Sequence, residues 1–185
     1  MPRLAFALCL LATGCSAVGT WSVDVRNGAS EVLFVTGSSS GPSVDLFVDV
    51  EGEWRSTAPS EAWLCLPRCD RPPGMVACAD IAMAPPVVWA MPAGAVEAAF
   101  EGERWYQDIN GFGACARQAR DSATLQARIC ASREAVDENG EPLVAPASGV
   151  PEGGDFGSEL VNPECFTGQR EGAGAFEVVV EAPAT

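Results

Sequence analysis

The chain has 185 residues, 25 acids against 11 basic residues, a formal net charge of −14 and no histidine; every basic residue is arginine. Without histidine or lysine there is no Ser/His/Asp triad, Cys/His pair, Ser/Lys pair or Schiff-base amine, so the usual activated nucleophiles are excluded. So acidic a surface repels phosphate backbones, which excludes nucleic acid as a partner.

Residues 1–14 open with Met1-Pro2-Arg3, continue as an apolar run over 4–12 and exit through Thr13-Gly14. A positive start, a short apolar core and a small-residue exit read as a signal peptide. The run is about half of the ~20 residues that span a bilayer. Leu11-Ala12-Thr13-Gly14-Cys15 resembles the bacterial lipobox. That resemblance implies cleavage before Cys15, a diacylglycerol thioether on its sulfur and a palmitate-class acyl chain on its new amine. Two or three such chains make attachment lasting where one does not. Ser16, in place of aspartate, implies the outer membrane of a Gram-negative bacterium. The competing reading is an ordinary signal peptide cut near Ala17, which releases the chain. Residues 15–20 form a short lipidated tether, and a single domain is expected over 21–182.

Within that domain, residues 21–25 and 31–36 are rich in β-formers and flank Asn27-Gly28, the strongest short hairpin signal. Gly37 to Pro42 form a loop. Val44, Leu46, Val48 and Val50 alternate with Ser43, Asp45, Phe47 and Asp49, the period of a strand with one buried face. Glu51-Gly52-Glu53 turns that strand back through Trp54. Glu101-Gly102-Glu103 repeats the device between 96–100 and Trp105, predicting a second hairpin. The middle segment, 62–91, is broken by Pro67, Pro72, Pro73, Pro85 and Pro86, so it reads as irregular. One short helical turn fits 114–120. Ala123, Leu125, Ala127 and Ile129 define the clearest strand, closed by Cys130. A turn at Asp137-Glu138-Asn139-Gly140 precedes a Gly/Pro-rich loop over 146–174, the expected variable contact surface. Phe176, Val178 and Val180 mark a closing strand. Together these elements predict an all-β fold: an antiparallel Ig-like β-sandwich with long irregular loops, stapled by disulfides.

Setting aside Cys9 in the signal segment and the lipid-bearing Cys15 leaves Cys65, Cys69, Cys78, Cys115, Cys130 and Cys165. An even set in an exported chain reads as three disulfides. Cys130 with Cys165 is the first expected pair, followed by Cys69 with Cys78 and Cys65 with Cys115. Zinc on Cys65, Cys69 and Cys78 is the weaker alternative, since histidine is absent and the spacing is not that of paired CxxC. No metal site or cofactor is expected. Asp45, Asp49, Glu51 and Glu53, and separately Asp137, Glu138 and Asn139, are candidate Ca²⁺ clusters set against a solvated acidic face. Trp21, Trp54, Trp63, Trp89 and Trp105 would stack sugars if exposed in a row, but core anchoring is the commoner role.

The order Ala79-Asp80-Ile81, Met91-Pro92-Ala93-Gly94, Trp105, Cys115, Cys130 and Asn162-Pro163-Glu164-Cys165 resembles exported lipoproteins of the myxobacterial type, a group to which no established activity attaches. The Met91-Pro92-Ala93-Gly94 turn before an aromatic strand is also faintly similar to proteinase-inhibitor domains of the BsuPI type, themselves Ig-like. The function expected is a non-catalytic, surface-anchored or periplasmic module whose partner is an envelope protein or a ligand. The alternative is protease inhibition by a loop over 66–77, and the third class is a carboxylate-based enzyme.

Overall fold

Strand-forming alternation accounts for most of the elements in the computed structural model, which describes residues 19–38, 40–58, 66–70, 87–154 and 157–183. In chain order the first strands are β1 (Trp21–Asn27), β2 (Leu33–Ser38), β3 (Gly41–Pro42), β4 (Asp45–Val50), β5 (Glu53–Ala58), β6 (Val87–Met91) and β7 (Val96–Gly102). They are followed by β8 (Trp105–Asn110), β9 (Gly113–Gln118), β10 (Thr124–Ser132), β11 (Glu134–Val136), β12 (Glu159–Val161), β13 (Glu164–Glu171) and β14 (Gly174–Val180). The fold is all-β and its ladders are antiparallel, except that β14 runs parallel to β1. Among the described residues no helix is long and apolar enough to cross a membrane.

Beside a two-stranded sheet of β11 and β12, the described residues form two main sheets, one with the order β14-β1-β7. The other is organised on β10, which pairs with β13 in register from Thr124↔Glu171 to Ala131↔Glu164. The opposite edge of β10 is shared by β4, facing Leu125 to Arg128, and β2, facing Ala131 and Ser132. From there the sheet forks. One branch passes from β2 to β6, and the other passes through β4, β5 and β8 to β9.

The two sheets share one core. Val23 and Val25 of β1, Val178 and Val180 of β14, and Leu125, Ala127, Ile129 and Ala131 of β10 are all buried in it. Each large aliphatic side chain so buried contributes about 1.5–3 kcal/mol relative to exposure. Gly168 lets the sheets approach where β13 passes beneath β14, because a Cβ there would lie 3.0 Å from the Glu177 carbonyl oxygen.

Sequence alternation locates β1, β2, β4, β10 and β14 correctly, but several connections differ from expectation. Glu51-Gly52 does form a two-residue hairpin, with φ of 57° and 87° and Val50 paired to Glu53, the conformation of a type I′ turn. Asn27-Gly28 does not. Both edges of β1 are occupied, by β14 and β7, so β2 joins the other sheet and neither Asn27 nor Gly28 has positive φ. Glu101-Gly102-Glu103 is likewise a crossing, since β7 pairs with β1 whereas β8 pairs with β5 and β9. Residues 113–118, expected to hold part of a helical turn, are strand β9.

The segment 146–174 is not one loop. It contains β12 and the eight-residue β13, whose alternation is hidden because its side chains are mostly exposed or only partly covered. Its earlier part is structural too. Gly149 and Ala90 exchange two backbone hydrogen bonds, and the buried Ser158 hydroxyl accepts from Val88 N–H at 3.1 Å while donating to the Gly154 carbonyl at 2.8 Å. These bonds cover the outer edge of β6, which would otherwise leave donors and acceptors unpaired.

Among the described residues, two disulfides staple the structure. Cys130–Cys165 joins direct cross-strand partners of β10 and β13, as expected. Cys115 pairs with Cys69, which replaces both expected pairs, Cys65–Cys115 and Cys69–Cys78. The reason is local register: Cys69 N–H donates to Ala116 O at 3.0 Å and Ala116 N–H to Pro67 O at 2.8 Å. Residues 67–69 therefore lie along β9 with Cys69 beside Cys115, at a Cα separation of 5.0 Å. Cys65 and Cys78 lie outside the described residues.

Candidate functional site

The β4–β5 hairpin, β8, β9 and the turn after β9 enclose a polar cleft of about 430 Å³. That volume falls in the ~300–1,000 Å³ range of small-molecule sites. Strand alternation decides its walls. On β8, Tyr106 and Asp108 share a face, and antiparallel pairing sets Arg117 of β9 opposite Tyr106. Arg55 of β5 comes to the same face because Thr57 is paired with Tyr106.

Asp108 is the centre of this wall. Its Oδ1 accepts from Arg55 Nη1 at 3.2 Å and its Oδ2 from Arg117 Nε at 2.5 Å, while the Ile109 N–H donates to Oδ1 at 2.9 Å. Burial pushes the carboxyl pKa up, but the Ile109 N–H and the Arg117 and Arg55 guanidiniums outweigh it and hold it below the ordinary aspartate value. Asp108 is therefore an anion at neutral pH, not a proton donor. Tyr106 forms part of the floor and is buried; burial raises its phenol pKa against the opposing pull of Arg117.

The rest of the lining is more open. Asp49 and Glu51 come from the β4–β5 turn, and exposed Arg120 and Ser122 come from the connection to β10. Asp49 Oδ1 accepts the Gly52 N–H at 2.8 Å, which closes the hairpin. Arg120 makes no ion pair among the described residues, although its charge is felt at Tyr106.

The sequence-derived Ca²⁺ candidates do not converge. Asp45 pairs with Arg128 at 2.9 Å and Glu53 lies 3.8 Å from Arg55, so the four acids of that set are drawn apart. Among the described residues no three cysteine or carboxylate side chains gather in a way that could hold a metal ion. At the second candidate, Asp137 turns its carboxylate onto its own backbone, accepting from the N–H groups of Glu141 and Asn139. These bonds, Glu141 first, lower its pKa.

Among the described residues, two tryptophans are buried. Trp21 is fully buried, with its indole N–H donating to Gly172 O at 3.1 Å, and Trp105 is buried beneath the Arg68 guanidinium at 4.7 Å. Trp89 is partly buried, and Trp54 is 43% exposed, so no row of exposed indoles forms among the described residues. Cys15, Trp63 and residues 1–18 lie outside the described residues.

Sequence reasoning missed Arg55, Tyr106, Asp108, Arg117 and Arg120. The available signal was the Tyr106/Asp108 alternation, but reading 114–120 as helical assigned Arg117 to no sheet face. The chain matches no protein-family model, curated protein or solved structure in comparison with known proteins.

Proposed function

We propose that the chain is an exported bacterial lipoprotein, anchored through Cys15, whose domain is a non-catalytic binding module with Ig-like β-sandwich architecture. The observation that carries this reading is the pair of disulfides, Cys69–Cys115 and Cys130–Cys165. Such bonds persist in oxidising compartments, in keeping with the signal-type segment and the Leu11-Ala12-Thr13-Gly14-Cys15 sequence. Outer-membrane residence follows from Ser16 in this reading. The non-catalytic part is supported by the cleft chemistry, because Asp108 is neutralised by two guanidiniums and has a lowered pKa.

Cell fractionation with [³H]palmitate labelling tests the proposal. Wild type should carry label and partition with membranes, and Cys15→Ala should lose label and become soluble or remain unprocessed. Identical labelling and partitioning of the two would overturn it.

A second reading, inhibition of a secreted protease, is favoured by the fixation of residues 67–69 through Cys69–Cys115 and their ladder on β9. Rigid presentation lowers the entropic cost of entering a protease cleft. Absence of inhibition across a panel of secreted proteases at micromolar concentration removes this reading.

A further inference from the structure

We infer that the cleft between the β4–β5 hairpin and the β8–β9 hairpin binds a small zwitterion carrying a carboxylate and an ammonium group, such as an amino acid or a short peptide. The inference rests on the binding-module reading and adds the class of ligand. Its basis is the distribution of charge around one cavity. In a chain with a formal charge of −14, three of the eleven arginines line this cleft: Arg55, Arg117 and Arg120. Three carboxylates line it as well, from Asp49, Glu51 and Asp108.

These six groups are not equivalent. Asp108 is held by both Arg55 and Arg117, and Arg55 also lies 3.8 Å from Glu53, so this network is balanced in charge. Arg120 is the cation of the lining that has no ion-pair partner among the described residues. The same lining includes Glu51, exposed in the turn, and Asp49, one of whose oxygens is occupied by Gly52. The lining of the cleft is therefore balanced in sign, with three arginines and three carboxylates. Outside the Asp108 network, Arg120 after β9 offers guanidinium donors and the β4–β5 turn offers the carboxylate oxygens of Asp49 and Glu51.

A simple anion would meet Asp49 and Glu51 as well as the long-range field of the acidic chain. A simple cation would meet the uncompensated guanidinium of Arg120. A molecule with both charges satisfies both, and Arg120 is free to take a carboxylate in the bidentate geometry natural to guanidinium. Tyr106 on the floor gives the ligand an aromatic surface beside these charges.

Nuclear magnetic resonance titration of the purified full chain in a nonionic detergent tests the assignment, with alanine, acetate and methylammonium as probes. Alanine is expected to shift the amide resonances of Glu51, Tyr106 and Arg120, with acetate and methylammonium each binding much more weakly. Arg120→Gln and Glu51→Gln, both at exposed positions and outside the Asp108 network, should each weaken alanine binding roughly tenfold, as expected for loss of one charge-assisted hydrogen bond. Acetate or methylammonium binding as tightly as alanine would overturn the zwitterion assignment while leaving a ligand cleft in place. No response to any probe, or alanine binding indifferent to both substitutions, would overturn the cleft as the binding site.

Discussion

Arg117 Nε donates to Asp108 Oδ2 across 2.5 Å, tying β9 to β8, and the other oxygen of the same carboxylate takes Arg55 from β5. Three strands of the sheet's outer branch are thus fastened by one side chain that is 21% exposed.

Asp108→Asn should therefore cost roughly 1–3 kcal/mol at neutral pH, the range for losing a charge-assisted bond and leaving its donors poorly paired. Partial solvent access favours the lower end. The folded-state pKa of Asp108 lies below its unfolded value, so its contribution is present above the unfolded pKa and is lost as pH falls through the folded pKa. Urea unfolding between pH 7 and pH 2 should show a shallower acid-side loss for Asp108→Asn than for wild type. Parallel acid limbs would contradict the role assigned to this carboxylate.

Asn27→Ala should be among the more damaging single substitutions. Asn27 is 0% exposed; its side-chain amide donates to the Glu31 and Met91 carbonyls at 2.9 Å each, and its oxygen accepts from Ala29 N–H at 2.9 Å. Truncation leaves these backbone groups without partners, at roughly 2–4 kcal/mol in total. A loss under about 1 kcal/mol in chemical denaturation would mean that water replaces the amide.

Non-reducing peptide mapping should recover Cys69 linked to Cys115 and Cys130 linked to Cys165. A Cys65–Cys115 peptide would contradict the register of residues 67–69 on β9. Replacing Cys130 and Cys165 together by serine is expected to cost about 2–5 kcal/mol, the usual consequence of removing a native disulfide from a small domain.

Ser158→Ala should cost about 1–3 kcal/mol, because Val88 N–H and Gly154 O lose a common buried partner. Val144→Ser, at a side chain 83% exposed, should change stability by less than about 0.5 kcal/mol. Comparable effects of the two in thermal unfolding would mean that Ser158 does not cover β6 in solution.

Alternation alone was enough to read β4, β10 and β14, since Leu46 and Val48, Leu125 to Ala131, and Val178 and Val180 each present one apolar face to a shared core. It also marked the Glu51-Gly52 turn, where glycine next to a residue tolerating positive φ meets a local need. The same local chemistry misled at Asn27-Gly28. There the amide of Asn27 is spent on bonds to residues 31 and 91, and only the finished sheet, with β14 on one edge of β1 and β7 on the other, decides that no hairpin forms. β13 was hidden for a different reason. Its stability comes from eight registers against β10 and from Cys165, so its own side chains need not alternate.

What the sequence determined by itself is the class of the molecule: an acidic, histidine-free and lysine-free chain with short alternating strands and cysteines that form disulfides. These are properties of composition and of neighbours along the chain, where side-chain period and turn chemistry act. The cleft was decided by tertiary structure alone. Arg55, Asp108 and Arg117 stand in separate strands, and only the β5–β8–β9 register turns them to one face, where Coulomb attraction at hydrogen-bond distance joins residues that no sequence period connects.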